Sequence, residues 1–208
     1  MNTQIFRCNP WLFLWLCFFI FSGCFPRSQQ AQFYTLSPMP RPDGVIVHKL
    51  QFTVSVGPVI LPDILKRPQV AVRSGDNEVI FSEFHKWAGM LKDDTKRVLA
   101  EDLSILLASN GATVLTDDIL IEPDYRVVVN INRFDGQPEH DVWLNAVWTV
   151  SDQKNQKSIA INQSVLQEKV SGQNYSDMVN AQSRVLEALA KQIASEIVKQ
   201  RNSVIMSE

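Results

Sequence analysis

Asp135, Glu139, His140 and Asp141 form the local cluster whose residue types could do chemistry. Carboxylates beside an imidazole can take up and return a proton near neutral pH, which is acid–base catalysis. Their setting argues otherwise. Gly136 and Pro138 put the group in a turn between two strand-like runs, and a solvated hairpin loop is the better reading. His48 and His85 are distant from His140 in sequence, and no H-E-x-x-H or other metal-ligand spacing occurs. G-x-x-x-x-G-K-[ST], the loop that cradles nucleotide phosphates, is missing, as is the G-x-S-x-G nucleophile elbow. The residues therefore predict no catalytic site, no metal site and no cofactor, and a chain that is not an enzyme.

The other reactive group is a thiol. Trp11–Phe21 is a run of eleven apolar residues, preceded by a segment whose only side-chain charge is Arg7. A bilayer-spanning helix needs about 20 apolar residues, whereas a secretory signal needs a run of roughly 7–15. Ser22 and Gly23 supply small residues, and Cys24 follows. This resembles a bacterial lipobox, in which the cysteine becomes residue one and its sulfur carries lipid. Phe21 departs from the leucine usual at that place. A plain signal peptide or an uncleaved anchor is the alternative. Lipidation of Cys24 would leave no disulfide within the mature chain, since Cys8 and Cys17 depart with the signal. It would also exclude a Cys–His mechanism. The expected division is a signal peptide over 1–23, a lipidated tether over 24–32, a folded domain over 33–198 and a flexible tail over 199–208. Residues 25–32 span at most about 28 Å when extended, so the domain would stay near one membrane surface. Lys and Arg number 20 against 22 Asp and Glu, a balance that offers no basic face for nucleic acid.

The elements follow from periodicity. Phe33–Leu36, Phe52–Val56, Gln69–Arg73 and Glu78–Ser82 read as strands, the last two as a hairpin around Ser74–Asn77. Leu99, Leu103, Leu106 and Leu107 fall at helical spacing behind Asp93-Asp94, with Asn110-Gly111 as the stop; the helix could begin as early as Phe84–Leu91. Tyr125–Phe134, Val142–Val150 and Ser158–Val170 are strands joined by short loops, hence antiparallel neighbours. Val179, Leu186, Leu189, Ala190, Ile193 and Ile197 make the stripe of a last helix beginning near Ser176. The fold class is α+β: a mostly antiparallel β-sheet with two long α-helices packed on one face. Three residues are candidates for a partner interface. Arg67 is presented by the rigid Pro68, Trp87 precedes the first helix, and Trp143 lies on the mixed face of its strand. A core role is the competing reading for both tryptophans.

The order of short motifs carries a resemblance. A lipobox leads to F-Y-T-L-S-P (Phe33–Pro38), then V-S-V-G-P-V (Val54–Val59), R-P-Q-V-A-V-R (Arg67–Arg73) and Trp87-Ala88 with Leu91 opening a long helix. This resembles the PqiC family of auxiliary lipoproteins of ABC-type and MCE-type transport systems, across nearly the whole mature chain. The resemblance implies a lipoprotein of the Gram-negative outer membrane facing the periplasm, in agreement with Phe25, since an aspartate there typically retains a lipoprotein in the inner membrane. It implies work beside an inner-membrane permease and a PqiB-like MCE-domain protein that carries lipid across the periplasm. It supplies no catalytic residues and transfers only Cys24, the acylated (palmitate-bearing) position. A homo-oligomeric ring is one assembly it allows. The resulting expectation is a docking subunit for the MCE component at the outer membrane, supporting envelope integrity; the alternative is a periplasmic carrier that binds lipid itself, which would need an apolar cavity of several hundred Å³.

Overall fold

The computed structural model describes residues 29–42, 51–75, 77–153 and 157–205. Cys24, the signal, most of the tether and His48 lie outside them. The strands are β1 (Gln32–Tyr34), β2 (Phe52–Ile60), β3 (Gln69–Arg73), β4 (Val79–Trp87), β5 (Ala112–Thr116), β6 (Tyr125–Gly136), β7 (Asp141–Asp152) and β8 (Lys157–Lys169). The helices are α1 (Leu91–Leu106) and α2 (Tyr175–Ile205).

Strict alternation makes β7 the plainest case of sequence writing structure. Val142, Leu144, Ala146, Trp148 and Val150 are buried, and the residues between them are half-buried on the opposite face. Antiparallel register sets Val127, Val129 and Ile131 of β6 beside Val150, Trp148 and Ala146. Parallel register sets Val54 and Val56 of β2 beside Tyr125 and Val127. One sheet face is therefore continuously apolar, and both helices cover it. The α2 stripe predicted from spacing is buried throughout. Each such side chain contributes about 1.5–3 kcal/mol by leaving water.

The sheet is mixed. The β6–β7–β8 meander is antiparallel, as expected, but β2 lies parallel to both β5 and β6, and β1 parallel to β4. β7 runs along one edge of β6, while β2 pairs with its first half and β3 meets its end at Val72–Gly136. A register shift between Val56 and Val59 separates β2 into two parts. Gly57 sits there at φ 128°, where a Cβ would lie 2.4 Å from Cγ of Asp117. Neither the backbone nor the space suits another residue.

Three boundaries differ from the sequence reading. β4 continues through Phe84 to Trp87, so α1 cannot begin before Leu91; Asp93 and Asp94 lie in its first turn and Met90 is the N-cap. Ala112–Thr116 is a strand that the apolar pattern did not announce. α2 runs to Ile205, past the boundary expected near Lys199. Its last turns are held by Arg201, which donates to the Asn110 carbonyl at 3.1 Å and to Gln51 and lies 4.4 Å over the Phe52 ring.

The chain enters through a strap laid across both helices. After β1, the Leu36 side chain is buried and its N–H donates to Asp94 of α1 at 2.6 Å, while Arg97 donates to its carbonyl at 2.8 Å. Thr35 Oγ1 also donates to Asp94, the Ser37 N–H to Ser183 Oγ of α2, and the Met39 N–H to Asp102 Oδ1 at 2.7 Å. Asp102 is 0% exposed and its Oδ2 has no hydrogen-bond partner. Burial pushes its carboxyl up to about 6; the Met39 amide opposes the shift, and Glu187 and Glu101 add to it.

Because this value lies above the ordinary carboxylate value of about 3.9, folding disfavours the ionised form. Stability is thus lowered above pH 6 and recovered as pH falls toward 4. Asp102→Asn keeps an acceptor for Met39 and is expected to raise unfolding free energy at pH 7.5, on the order of 2 kcal/mol. Denaturant titrations of the unaltered protein are expected to show a gain between pH 7 and pH 5 that the same substitution erases. Gly57→Ala is expected to destabilise by about 1–3 kcal/mol, through the left-handed backbone and the Asp117 clash, as a lower thermal midpoint.

Candidate partner interface

The open face of the sheet, opposite the helices, carries the residues that a partner would meet. Antiparallel register aligns Val128, Thr149 and Ile161 in one row, and Asn130, Val147 and Gln163 in the next. Asn145 and Val165 follow, then Trp143 and Gln167. Ile161 and Val165 are exposed. Asn145 Oδ1, in the middle of this face, is buried without a hydrogen-bond partner. The face is uncharged between Arg126 and Arg133 and mixes amides with aliphatic side chains. β8 borders it as an edge strand paired with β7 alone among the described strands.

Trp143 ends this face, where the guanidinium of Arg133 lies 5.4 Å over its ring. Arg133 Nε also donates to Asp135 Oδ1 at 2.8 Å, and Arg73 donates to Asp135 Oδ2 from Nε at 3.0 Å and Nη2 at 2.6 Å. Asp135 is almost wholly buried, so three charge-assisted hydrogen bonds from two arginines offset its loss of hydration. No local pattern announces this joint, because Arg73 and Asp135 are 62 positions apart. Arg73, Arg133, Gln137, His140, Asp141 and Trp143 line a shallow concavity of 220 Å³ beside it.

The cluster suspected of acid–base work is dispersed at this end of the sheet. Asp135 faces the arginines, while Asp141 accepts from Gln167 Nε2 at 2.8 Å. The β6–β7 turn is closed by the His140 N–H donating to the Gln137 carbonyl, with Glu139 in the left-handed region at φ 69°. The hairpin reading holds for Glu139 and His140; Asp135 is instead a buried residue of β6 held by two arginines, and Asp141 opens β7. His85 belongs elsewhere. Its ring stacks on Tyr175 at 3.7 Å, and its Nδ1 lies 2.7 Å from the Tyr34 hydroxyl, which donates to Gln32 Oε1. Burial lowers the His85 pKa, which favours the neutral ring. The trio fastens β1 to β4 and to the start of α2.

Of the three candidate interface residues, two are at the surface. Arg67 is exposed, with its guanidinium 4.7 Å over the Phe81 ring. Trp143 is half-buried on the open face. Trp87 is 5% exposed and belongs to the core, with its N–H bonded to the Pro68 carbonyl. Its side chain is withdrawn from any partner, because β4 carries it onto the helix-covered face. Arg67 and Trp143 do not share a site: Arg67 precedes β3, and Trp143 is on β7.

A second groove, of 440 Å³, is open to solvent between β8 and α2. Its wall includes the chain Trp148 Nε1 to Ser164 Oγ at 2.8 Å and Ser164 Oγ to Gln192 Oε1 at 2.6 Å, with Lys191 and Glu196 nearby. Polar walls of this kind do not make the enclosed apolar cavity that a lipid carrier uses. Among the described residues no group of three or more His, Cys, Asp or Glu side chains could hold a metal ion. No helix among them is long and apolar enough to cross a membrane.

Comparison with known proteins gives the fold a context. The chain is 21% identical to an uncharacterized protein of known crystal structure, over 81% of this chain and 99% of that one, with a TM-score of 0.67. A Xanthomonas campestris protein of the DUF330 family is 16% identical over 83% of this chain and 99% of its own, with a TM-score of 0.62. At such identities the likeness is one of fold. No curated protein matches the chain. The ABC-type transport auxiliary lipoprotein component family matches residues 34–194, from the last residue of β1 well into α2. By that match the chain belongs to this family of envelope lipoproteins, the one toward which its motifs pointed.

Proposed function

We propose that this protein is a non-catalytic lipoprotein subunit of the outer membrane, anchored through Cys24, that docks the periplasm-spanning MCE component of a lipid transport system. The observation that carries the proposal is the strap. Backbone groups from Leu36 to Met39 are bonded to Asp94 and Asp102 of α1 and Ser183 of α2, so pull on an N-terminal anchor is taken up by β1 on β4 and then by both helices. A domain held this way is suited to bearing load between a membrane and a partner. The family's transport role supports the same reading, and so does an open sheet face with few charges to desolvate. The inner-membrane permease and the MCE protein are the partners; a ring of copies is the assembly through which such a domain would surround the end of an MCE channel.

Two measurements test the proposal. Cys24→Ser is expected to remove the protein from the outer-membrane fraction, because two or more acyl chains are what make an anchor stable. The acylated protein in detergent or nanodiscs is expected to retain the MCE-domain protein of the same host on affinity capture. Unchanged fractionation would remove the anchor, and absence of association in every membrane mimetic would remove the docking role.

A further inference from the structure

Eight residues, Asp117 to Asp124, join β5 to β6 as D-D-I-L-I-E-P-D. At the tip Leu120 is 101% exposed, Ile119 46% and Ile121 55%. Single exposed aliphatic residues are ordinary on protein surfaces. Three in succession on a protruding loop present a compact apolar knob, and exposed patches of this kind mark interaction sites.

The loop is fastened at both roots. The Asp117 N–H donates to the Val56 carbonyl at 3.1 Å, and the Ile119 N–H to the Thr116 carbonyl at 3.2 Å. Lys96 of α1 donates to Asp117 Oδ1 at 2.9 Å and to Asp118, whose Oδ2 accepts from Thr116 Oγ1. At the other root Asp124 Oδ2 accepts the Thr53 N–H at 2.8 Å, and the Asp124 N–H donates to Thr53 Oγ1 at 2.9 Å. The absent Cβ of Gly57 leaves room for the Asp117 carboxylate. A knob ordered before binding loses little conformational freedom on binding.

Charge selects the partner. Asp117, Asp118, Glu122 and Asp124 flank the three aliphatic residues in sequence; Asp118 and Glu122 are exposed, while Asp117 and Asp124 are half-buried against Lys96 and Thr53. Hydrogen bonding to Lys96 lowers the Asp118 pKa, so this exposed carboxylate stays ionised well below neutral pH. An anionic lipid surface repels such a collar. A protein pocket that is apolar at its floor and lined at its rim by lysine or arginine complements both parts.

We infer that Ile119, Leu120 and Ile121 form a docking knob that inserts into an apolar, cation-rimmed pocket of a protein partner. The inference rests on the docking function proposed above and names the surface that performs it. The test uses the acylated full-length protein in nanodiscs and the MCE-domain protein of the same host, with association and dissociation rates measured separately. Leu120→Asp is expected to weaken binding tenfold or more, chiefly through faster dissociation, with the thermal midpoint unchanged because the side chain is fully in solvent. Leu120→Ser provides the same comparison without added charge. Glu122→Gln, which leaves the loop roots untouched, is expected to slow association and flatten its salt dependence, leaving dissociation nearly as before.

If the unaltered protein binds and both Leu120 variants bind equally well, the knob is overturned and the docking function stands. If the unaltered protein does not bind, both fall. Two further results would overturn the assignment to a pocket on a different protein. One is a blue-shifted emission of Leu120→Trp, relative to the unaltered protein, on adding phosphatidylethanolamine–phosphatidylglycerol vesicles. The other is self-association of the unaltered protein that Leu120→Asp abolishes.

Discussion

β6 is the strand on which the other elements are registered, because its second edge is divided between β2 and β3. A strand has one hydrogen-bonding edge on each side, and β7 occupies the first along the length of β6. β2 must therefore yield before β3 can arrive, and the shift between Val56 and Val59 is where its regular pairing with β6 breaks. The consequences spread outward. β4 and β1 are carried on β3, which brings the incoming chain to the first turn of α1. β5 is carried on β2, which sets the acidic loop beside the same helix. Extra methylene groups packed into the core elsewhere would cost about 1–3 kcal/mol through strained rotamers and backbone shifts; at Gly57 even a methyl group meets Asp117.

Carboxylates do the fastening that disulfides do in many secreted domains. Asp94 and Asp102 hold the strap, Asp124 holds β6 to β2 through Thr53, and Asp135 joins β3 to β6 through two arginines. These are not surface ion pairs, whose contributions center near 0–1 kcal/mol. Each acceptor is wholly or partly withdrawn from water, where a hydrogen bond to a charged group contributes about 1.5–3 kcal/mol. Asp102 shows the limit of the device: it receives one amide donor, which does not match the hydration it gave up.

Legibility in the sequence tracked the distance over which each feature is determined. The β7 alternation and the α2 stripe are local patterns, and both are found where the spacing put them. β5 escaped because its five residues are half-exposed and carry no clean period. The end of α2 escaped because Arg201 holds it through Asn110, Gln51 and Phe52, contacts that no periodicity encodes. A lone tryptophan has no period either, so Trp87 could be assigned to core or surface only by knowing which face of β4 meets the helices. The Arg73–Asp135 and Met39–Asp102 bonds connect residues more than 60 positions apart and were invisible for the same reason.

α1 gathers these long-range contacts into one mechanical element. Asp94 and Arg97 grip the strap, and Lys96, within the same turn, grips the loop behind Leu120. Residues 94 and 97 lie on one side of the helix, and 96 is turned away from them by the 3.6-residue period. A single rigid turn thus holds the entering chain on one side and the apolar knob on the other. Displacement of the strap along the helix would break its bonds to Asp94 and Arg97, and displacement of that helical turn would break the bonds of Lys96 to Asp117 and Asp118. That arrangement keeps the knob at a fixed offset from the point where the chain enters, as a subunit must if an anchored domain is to present one surface to an incoming partner.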